Sequence, residues 1–340
     1  MTPREALNAL LARNDLNREQ MLAVMTDIMT GATTPIQTAG LVTALRAKGE
    51  TVTELAAAAE VMRHLSTRID TTDLAHVVDT CGTGGDGMHT FNISTTAAFV
   101  AAAAGAHVAK HGGRSVSSTT GSADVLEALD IQVTTLTPER VAQSLRACGL
   151  GFMFAPNYHT AMRHSVTVRR ELGVRTLFNL LGPLTNPAGA PHQLLGVFSP
   201  HLTGTLARVL QQLGSRHALV VHGSDGLDEI TLSGPTHVAE LKDGEVREYL
   251  LDPATCGITP SPLNGILVKN AQESRELLEM VLDNCPGPAR DIVILNAGAA
   301  IYVAGLAPRL QDGIERAREV IASGQARARL ETLVAWSRHP

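Results

Sequence analysis

A β-branched run that ends in four glycines within six positions leaves few choices of fold. HVVDTC reads as a short buried strand, and GTGGDG follows it at residues 82–87. A strand entering such a turn must leave it in a new element, and ISTTAAFVAAAA supplies a helix over 93–104. AHVA then reads as a second strand over 106–109. Strand, glycine loop, helix and strand form a unit that favours a parallel sheet. Further strands are expected at 193–197, 218–222 and 292–295, with helical periods at 202–213 and 274–284 between them. A hairpin is expected around Asp243-Gly244, and the tail from about residue 314 reads as helix.

Residues 1–70 show helical spacing and no strand signal. Thr34-Pro35-Ile36-Gln37 combines an N-cap, a proline at the first helical position and a capping-box glutamine, and Thr51 to Glu54 repeats the box. The fold class read here is α/β: a mostly parallel central sheet flanked by helices, with a smaller all-helical domain. FNLLGPLTNPAGAP, residues 178–191, is dense in proline and glycine and reads as a crossing between domains or a surface loop.

A formal net charge of -5 argues against a general nucleic-acid binder. Cys81, Cys148, Cys256 and Cys285 are far apart and form no CxxC pair, which argues against a structural zinc or a disulfide framework. The start, MTPREALNALLARNDL, lacks a basic-then-apolar leader, and no apolar run is long enough to span a bilayer. A cytoplasmic protein without membrane partners is expected.

The glycine loop and the helix after it offer bare N–H groups and a positive dipole end, a cradle for a phosphate-type anion. The spelling is neither GxGxxG nor GxxxxGK[ST], so a dinucleotide fold and a P-loop are disfavoured. Asp86 inside such a cradle calls for a hydroxyl or a cation beside it. Asn92, Ser94, Thr95 and Thr96 exceed what one helix cap needs. Lys110, His111 and Arg114 leave a strand into a glycine turn and then a string of hydroxyls, a set suited to a polyanion. Asp228 and Glu229 are adjacent carboxylates after another strand. Magnesium takes one or two such groups plus substrate phosphates, although a surface acidic pair reads the same way.

These motifs together resemble the anthranilate phosphoribosyltransferase family. GTGGD, NIST, KHGGRSVSS, GSAD, NYHTAMRH, VRRELGVRTLFNLLGPLTNP, GLDE and NAGAAIYVAG occur in the family's order and span nearly the whole chain. The resemblance implies transfer of phosphoribose from phosphoribosyl pyrophosphate to the amine of anthranilate, with release of pyrophosphate and with Mg2+ as cofactor. It implies a helical domain of residues 1–72 with a returning segment near 166–188, an α/β phosphoribosyl-binding domain of 73–165 and 189–340, and a homodimer.

By the same resemblance, Gly82, Gly85, Asp86, Thr90, Asn92, Ile93, Ser94 and Thr95 surround the sugar donor from one side. Lys110, His111, Gly112, Gly113, Arg114, Ser115, Val116, Ser117, Ser118 and Ser122 surround it from the other. Lys110 and Asp86 carry catalysis, and Ser94, Asp228 and Glu229 hold the metal. Arg169 meets the anthranilate carboxylate, with Gly82, His111, Gly113, His159, Gly182 and Pro183 lining the acceptor channel. Gly113 stands where the family's loop reads Asn, leaving only main-chain groups there. Whether His111 acts as a base or only holds the loop stays open. Two other readings are a pyrimidine nucleoside phosphorylase, of similar fold, and a non-catalytic nucleic-acid-binding relative.

Overall fold

A computed structural model describes residues 1–114 and 119–338. The chain opens with four helices, α1 (Pro3–Leu11), α2 (Arg18–Thr30), α3 (Pro35–Lys48) and α4 (Val52–Leu65). Each begins at a capping box: Thr2 with Glu5, Asn17 with Gln20, Thr34 with Gln37, and Thr51 with Glu54. Each box pairs two N–H groups that the first turn would otherwise leave unbonded. The sequence pattern called for two of these boxes.

The alternating part follows as β1 (Val77–Gly82), α5 (Ile93–Ala103), β2 (His107–Gly112), α6 (Ser122–Ala128), α7 (Pro138–Cys148) and β3 (Leu150–Phe154). Next come α8 (Ala155–Tyr158), α9 (Arg163–Leu172), α10 (Phe178–Leu181), β4 (His192–Gly196), α11 (Leu202–Gln212) and β5 (His217–Gly223). The hairpin β6 (Thr236–Lys242) and β7 (Glu245–Leu251) precedes α12 (Ala271–Leu282), α13 (Pro288–Val303), α14 (Leu310–Ala322) and α15 (Gln325–Ser337).

The strands form one sheet in the order β3-β2-β1-β4-β5-β6-β7. The first five are parallel, and β6 and β7 are antiparallel additions at one edge. Alternation along the strands builds two layers. Leu194, Leu219 and Val221 join a core with α5 and α12 to α15. Leu195, Ala218 and Val220 face the other way, into a core shared with α1 to α4, α10 and α11. On that side α11 packs directly on β5, β6 and β7, and α4 packs on α10 and α11, so the N-terminal helices form its outer layer.

Residues 292–295 are a correction. They lie inside α13, which is buried without a break from Ile292 to Val303. An all-round apolar helix segment has no periodic face, and four residues of it look like a core strand. β3 was not expected at all. The 178–191 segment is no surface loop: Pro183, Leu184, Thr185, Asn186 and Ala188 are buried.

One irregularity sits at the centre of the sheet. β1 and β2 are paired only at Val77 with His107 and Val78 with Val108. Beyond that point the two strands stay in register with β4 and β3 respectively, but no longer with each other. Side chains fill the gap. Lys110 Nζ donates to the Thr80 carbonyl, Asp79 Oδ1 accepts from the His111 N–H at 3.3 Å, and Asn186 Nδ2 donates to the Ala109 carbonyl at 2.8 Å. All of these polar side chains are buried.

Candidate active site

After β1 the chain goes to β2 and β3 on one side, then returns to β4 and β5 on the other. The crevice outside the carboxyl ends of β1 and β4 is thus a topological switch point, where open α/β sheets gather ligands. The glycine loop crosses it. Gly84, Gly85 and Gly87 adopt φ of +63°, +79° and +73°, a left-handed path that side chains disfavour. Gly82 is required by close approach instead: a Cβ there would lie 2.5 Å from Asp228 Oδ2.

The carboxylates are held from the main chain. Asp228 Oδ2 accepts from the Gly84 N–H at 2.9 Å, and Glu229 Oε1 accepts from the Ser94 N–H at 3.1 Å. Asp86 turns back on its own loop, accepting from Met88 N–H at 3.2 Å and Asp228 N–H at 3.4 Å. Burial, and then the charge of Asp86, push the Asp228 carboxyl up to about 7. Burial and then Asp228 push Glu229 up to about 8. Acids crowded in this way are short of positive charge.

Lys110 is 1% exposed, and its ammonium also donates to Ser94 Oγ at 3.2 Å. Burial lowers its pKa, and Asp79 and the two site carboxylates oppose that shift. No group of three His, Cys, Asp or Glu side chains forms a metal cage among the described residues. Two carboxylates and a serine hydroxyl beside an anion loop instead fit a hard cation that completes its shell with substrate oxygens.

The remaining expected residues divide. Asn92 makes no helix cap; its Oδ1 accepts from Ser274 Oγ at 2.7 Å and its Nδ2 donates to the Thr120 carbonyl at 3.4 Å. Thr95 Oγ1 donates to Ser122 Oγ at 3.1 Å, which joins α5 to α6. Thr90 forms an isolated bridge with Leu267, and Ile93 is buried. Gly112 ends β2, and the Gly113 carbonyl accepts from Ala123 N–H at 3.2 Å. Arg114 is engaged elsewhere, in ion pairs of 2.8 Å with both Asp124 and Glu127. Ser115, Val116, Ser117 and Ser118 lie outside the described residues.

On the far wall, the His111 and His159 rings are 5.0 Å apart and buried. Burial drives His111 down to about 3 and His159 down to about 4, so both imidazoles are neutral. Among the described residues, the Nε2 atoms of both rings are buried without a hydrogen-bond partner. Gln193 Nε2 donates to the Pro183 carbonyl at 2.7 Å and fixes that segment to β4. Arg169, on α9, places its guanidinium 5.6 Å from the Phe178 ring centroid. The sequence reading assigned no role to Asp79, Asn186 or Arg175, which the fold also brings here. The RRELGVR stretch carries three arginines, and nothing in a single sequence separates Arg175 from its surface neighbours.

Two family profiles cover most of the chain. Residues 4–66 match the helical bundle domain of a glycosyl transferase family, and residues 74–327 match its a/b domain. The anthranilate phosphoribosyltransferase of Thiobacillus denitrificans is 62% identical over 99% of this chain and 98% of its own length. That of Nitrosomonas europaea is 58% identical over the same shares. The crystal structure of anthranilate phosphoribosyltransferase from Thermus thermophilus superposes with a TM-score of 0.92 at 44% identity, covering 98% of this chain and 99% of that one. The Saccharomyces cerevisiae enzyme in complex with PRPP and Mg gives a TM-score of 0.88 at 26% identity, covering 99% and 98%. Common motifs, common fold and identity along the full length lead to one statement: the chain belongs to the anthranilate phosphoribosyltransferase family.

Proposed function

We propose that the chain transfers phosphoribose from 5-phosphoribosyl 1-pyrophosphate to anthranilate, giving N-(5-phosphoribosyl)anthranilate and pyrophosphate, the second step from chorismate to L-tryptophan. The observation that carries this reading is the convergence on one crevice of bare loop N–H groups, a buried lysine and two crowded carboxylates. Ser94, Asp228 and Glu229 are the residues to hold Mg2+, which when bound supplies positive charge to the diphosphate.

Cleavage of the bond from C1 to the diphosphate oxygen builds positive charge on the sugar and negative charge on the leaving group. Lys110 and the loop N–H groups answer the second of these. Gly82, Gly85, Asn92, Thr95 and Ser122 shape the donor's bed, and Asp86 braces the loop against the Asp228 main chain. Arg169 pairs with the anthranilate carboxylate and orients the amine, while His111, His159, Gly182 and Pro183 form the acceptor wall. An arylamine is uncharged near neutrality, so its lone pair attacks C1 without prior deprotonation, and the nitrogen loses its extra proton to solvent once the bond from C1 to the diphosphate oxygen has broken. The neutral, buried histidines act as walls. Orientation between the two sides supplies much of the rate.

The protein is a cytoplasmic homodimer joined through its helical part. Exposed Leu11, Ile36 and Val166 lie on α1, α3 and α9, and α3 packs against both of the others. No described helix is long and apolar enough to cross a membrane. Loss of anthranilate fluorescence on adding donor and magnesium tests the activity. No loss, or phosphorolysis of thymidine instead, overturns it.

A further inference from the structure

The loop N–H groups assigned above to the leaving diphosphate have a second cation beside them. Among the described residues, the N–H groups of Gly85, Asp86 and Gly87 make no hydrogen bond. The Asp86 carboxylate accepts from the Met88 and Asp228 N–H groups, so it is committed to main-chain donors of its own loop and of the segment after β5. Against this loop lies a cation from the opposite wall. Arg175, in the turn between α9 and α10, donates through Nη2 to the Gly85 carbonyl. Its guanidinium stacks 4.2 Å from the Phe198 ring centroid, just past β4. It is exposed, and no carboxylate pairs with it among the described residues. A Cβ on Gly85 would lie 3.3 Å from Arg175 Nη2, so the bare loop lets the guanidinium lie flat on it.

We propose that Arg175 is a second cationic ligand for the donor's diphosphate, gripping it together with the free N–H groups of Gly85, Asp86 and Gly87. This rests on the activity proposed above. One edge of the planar fork stays on the Gly85 carbonyl and the other N–H groups face the crevice. A guanidinium held flat by an aromatic ring and a carbonyl is oriented for phosphoryl oxygens before they arrive. Lys110 and the carboxylate pair lie on the strand side of the loop, and Arg175 lies on the helical side. A diphosphate in the crevice is then contacted from both walls, and the same contact ties the helical layer to the loop.

The test is equilibrium binding of inorganic pyrophosphate with magnesium, measured by calorimetry on the full chain, alongside steady-state kinetics. Arg175→Gln should weaken pyrophosphate binding and raise the donor KM by about 10- to 100-fold, with the anthranilate KM changed by less than about twofold. Arg175→Lys should recover part of the loss, since it keeps the charge but not the fork. Unchanged pyrophosphate affinity in Arg175→Gln overturns the proposal. So does an equal rise in both KM values with a lowered Tm, which marks a purely structural clasp. A wild-type protein that binds pyrophosphate through Arg175 yet consumes no anthranilate would overturn the assigned reaction and leave this site standing.

Discussion

Lys110 has almost no access to water; burial lowers its pKa, and the Thr80 carbonyl, Ser94 Oγ and nearby carboxylates oppose that by surrounding the amine. Replacing it with an apolar side chain of similar length removes charge from the leaving group and the bond to the Thr80 carbonyl across the β1–β2 gap. Lys110→Met is expected to lower kcat by about 10²–10³, as for loss of one preorganised donor, and to lower Tm as well. Retained turnover would show that the ammonium is not where the charge develops. His111 and His159 make a different prediction. Their folded pKa values, about 3 and about 4, lie below the ordinary 6.5. Between those limits the unfolded chain binds protons that the native fold refuses, so stability falls as pH drops. Each histidine adds a slope of about 1.4 kcal/mol per pH unit. Urea unfolding at pH 7, 6 and 5 should show a shallower loss for His159→Gln than for wild type. Identical slopes would mean that the ring titrates freely.

At the scale of elements, what was legible in the sequence was what local rules dictate. The β1 strand, its glycine loop, α5 and the hairpin announced themselves because turn chemistry and capping act over a few residues. α13 did not. Its burial comes from packing on every side, and near Ile314 it comes from one missing side chain. A Cβ on Gly298 would lie 2.6 Å from the Ile314 Cα in α14. Gly298→Ala must push these helices apart and is expected to cost about 1–3 kcal/mol, read as a lower denaturant midpoint with unchanged slope. β3 was missed for a related reason: LGFMF shows no alternation, and the Gly149 before it and Pro156 after it mark a boundary without saying what lies between. The site shows the same division. Lys110, Asp228 and Glu229 stood out by type and by position after strands. Asp79, Asn186 and Arg175 matter only through partners between 32 and 90 residues away, and such pairings are set by topology.

Across the whole molecule, the N-terminal helices pack outside α10 and α11 on one side of the sheet, and Arg63 of α4 donates to the Leu184 carbonyl of the crossing segment. Their outer surface still carries Ile36 at 86% and Leu11 at 68% exposure. Ile36→Asp is expected to convert a dimer to monomer in sedimentation equilibrium while leaving the anthranilate assay of the surviving species intact. A wild-type monomer at all concentrations would remove the proposed pairing. The parted strands β1 and β2 have a consequence of their own. Sheets normally fray from the rim inward, the middle being the last to yield. Here the ladder is interrupted at mid-sheet and bridged by side chains alone. Deuterium should therefore enter the amides flanking that interruption sooner than those of the β4–β5 pair beside it, and a molecule under stress would tear along its spine.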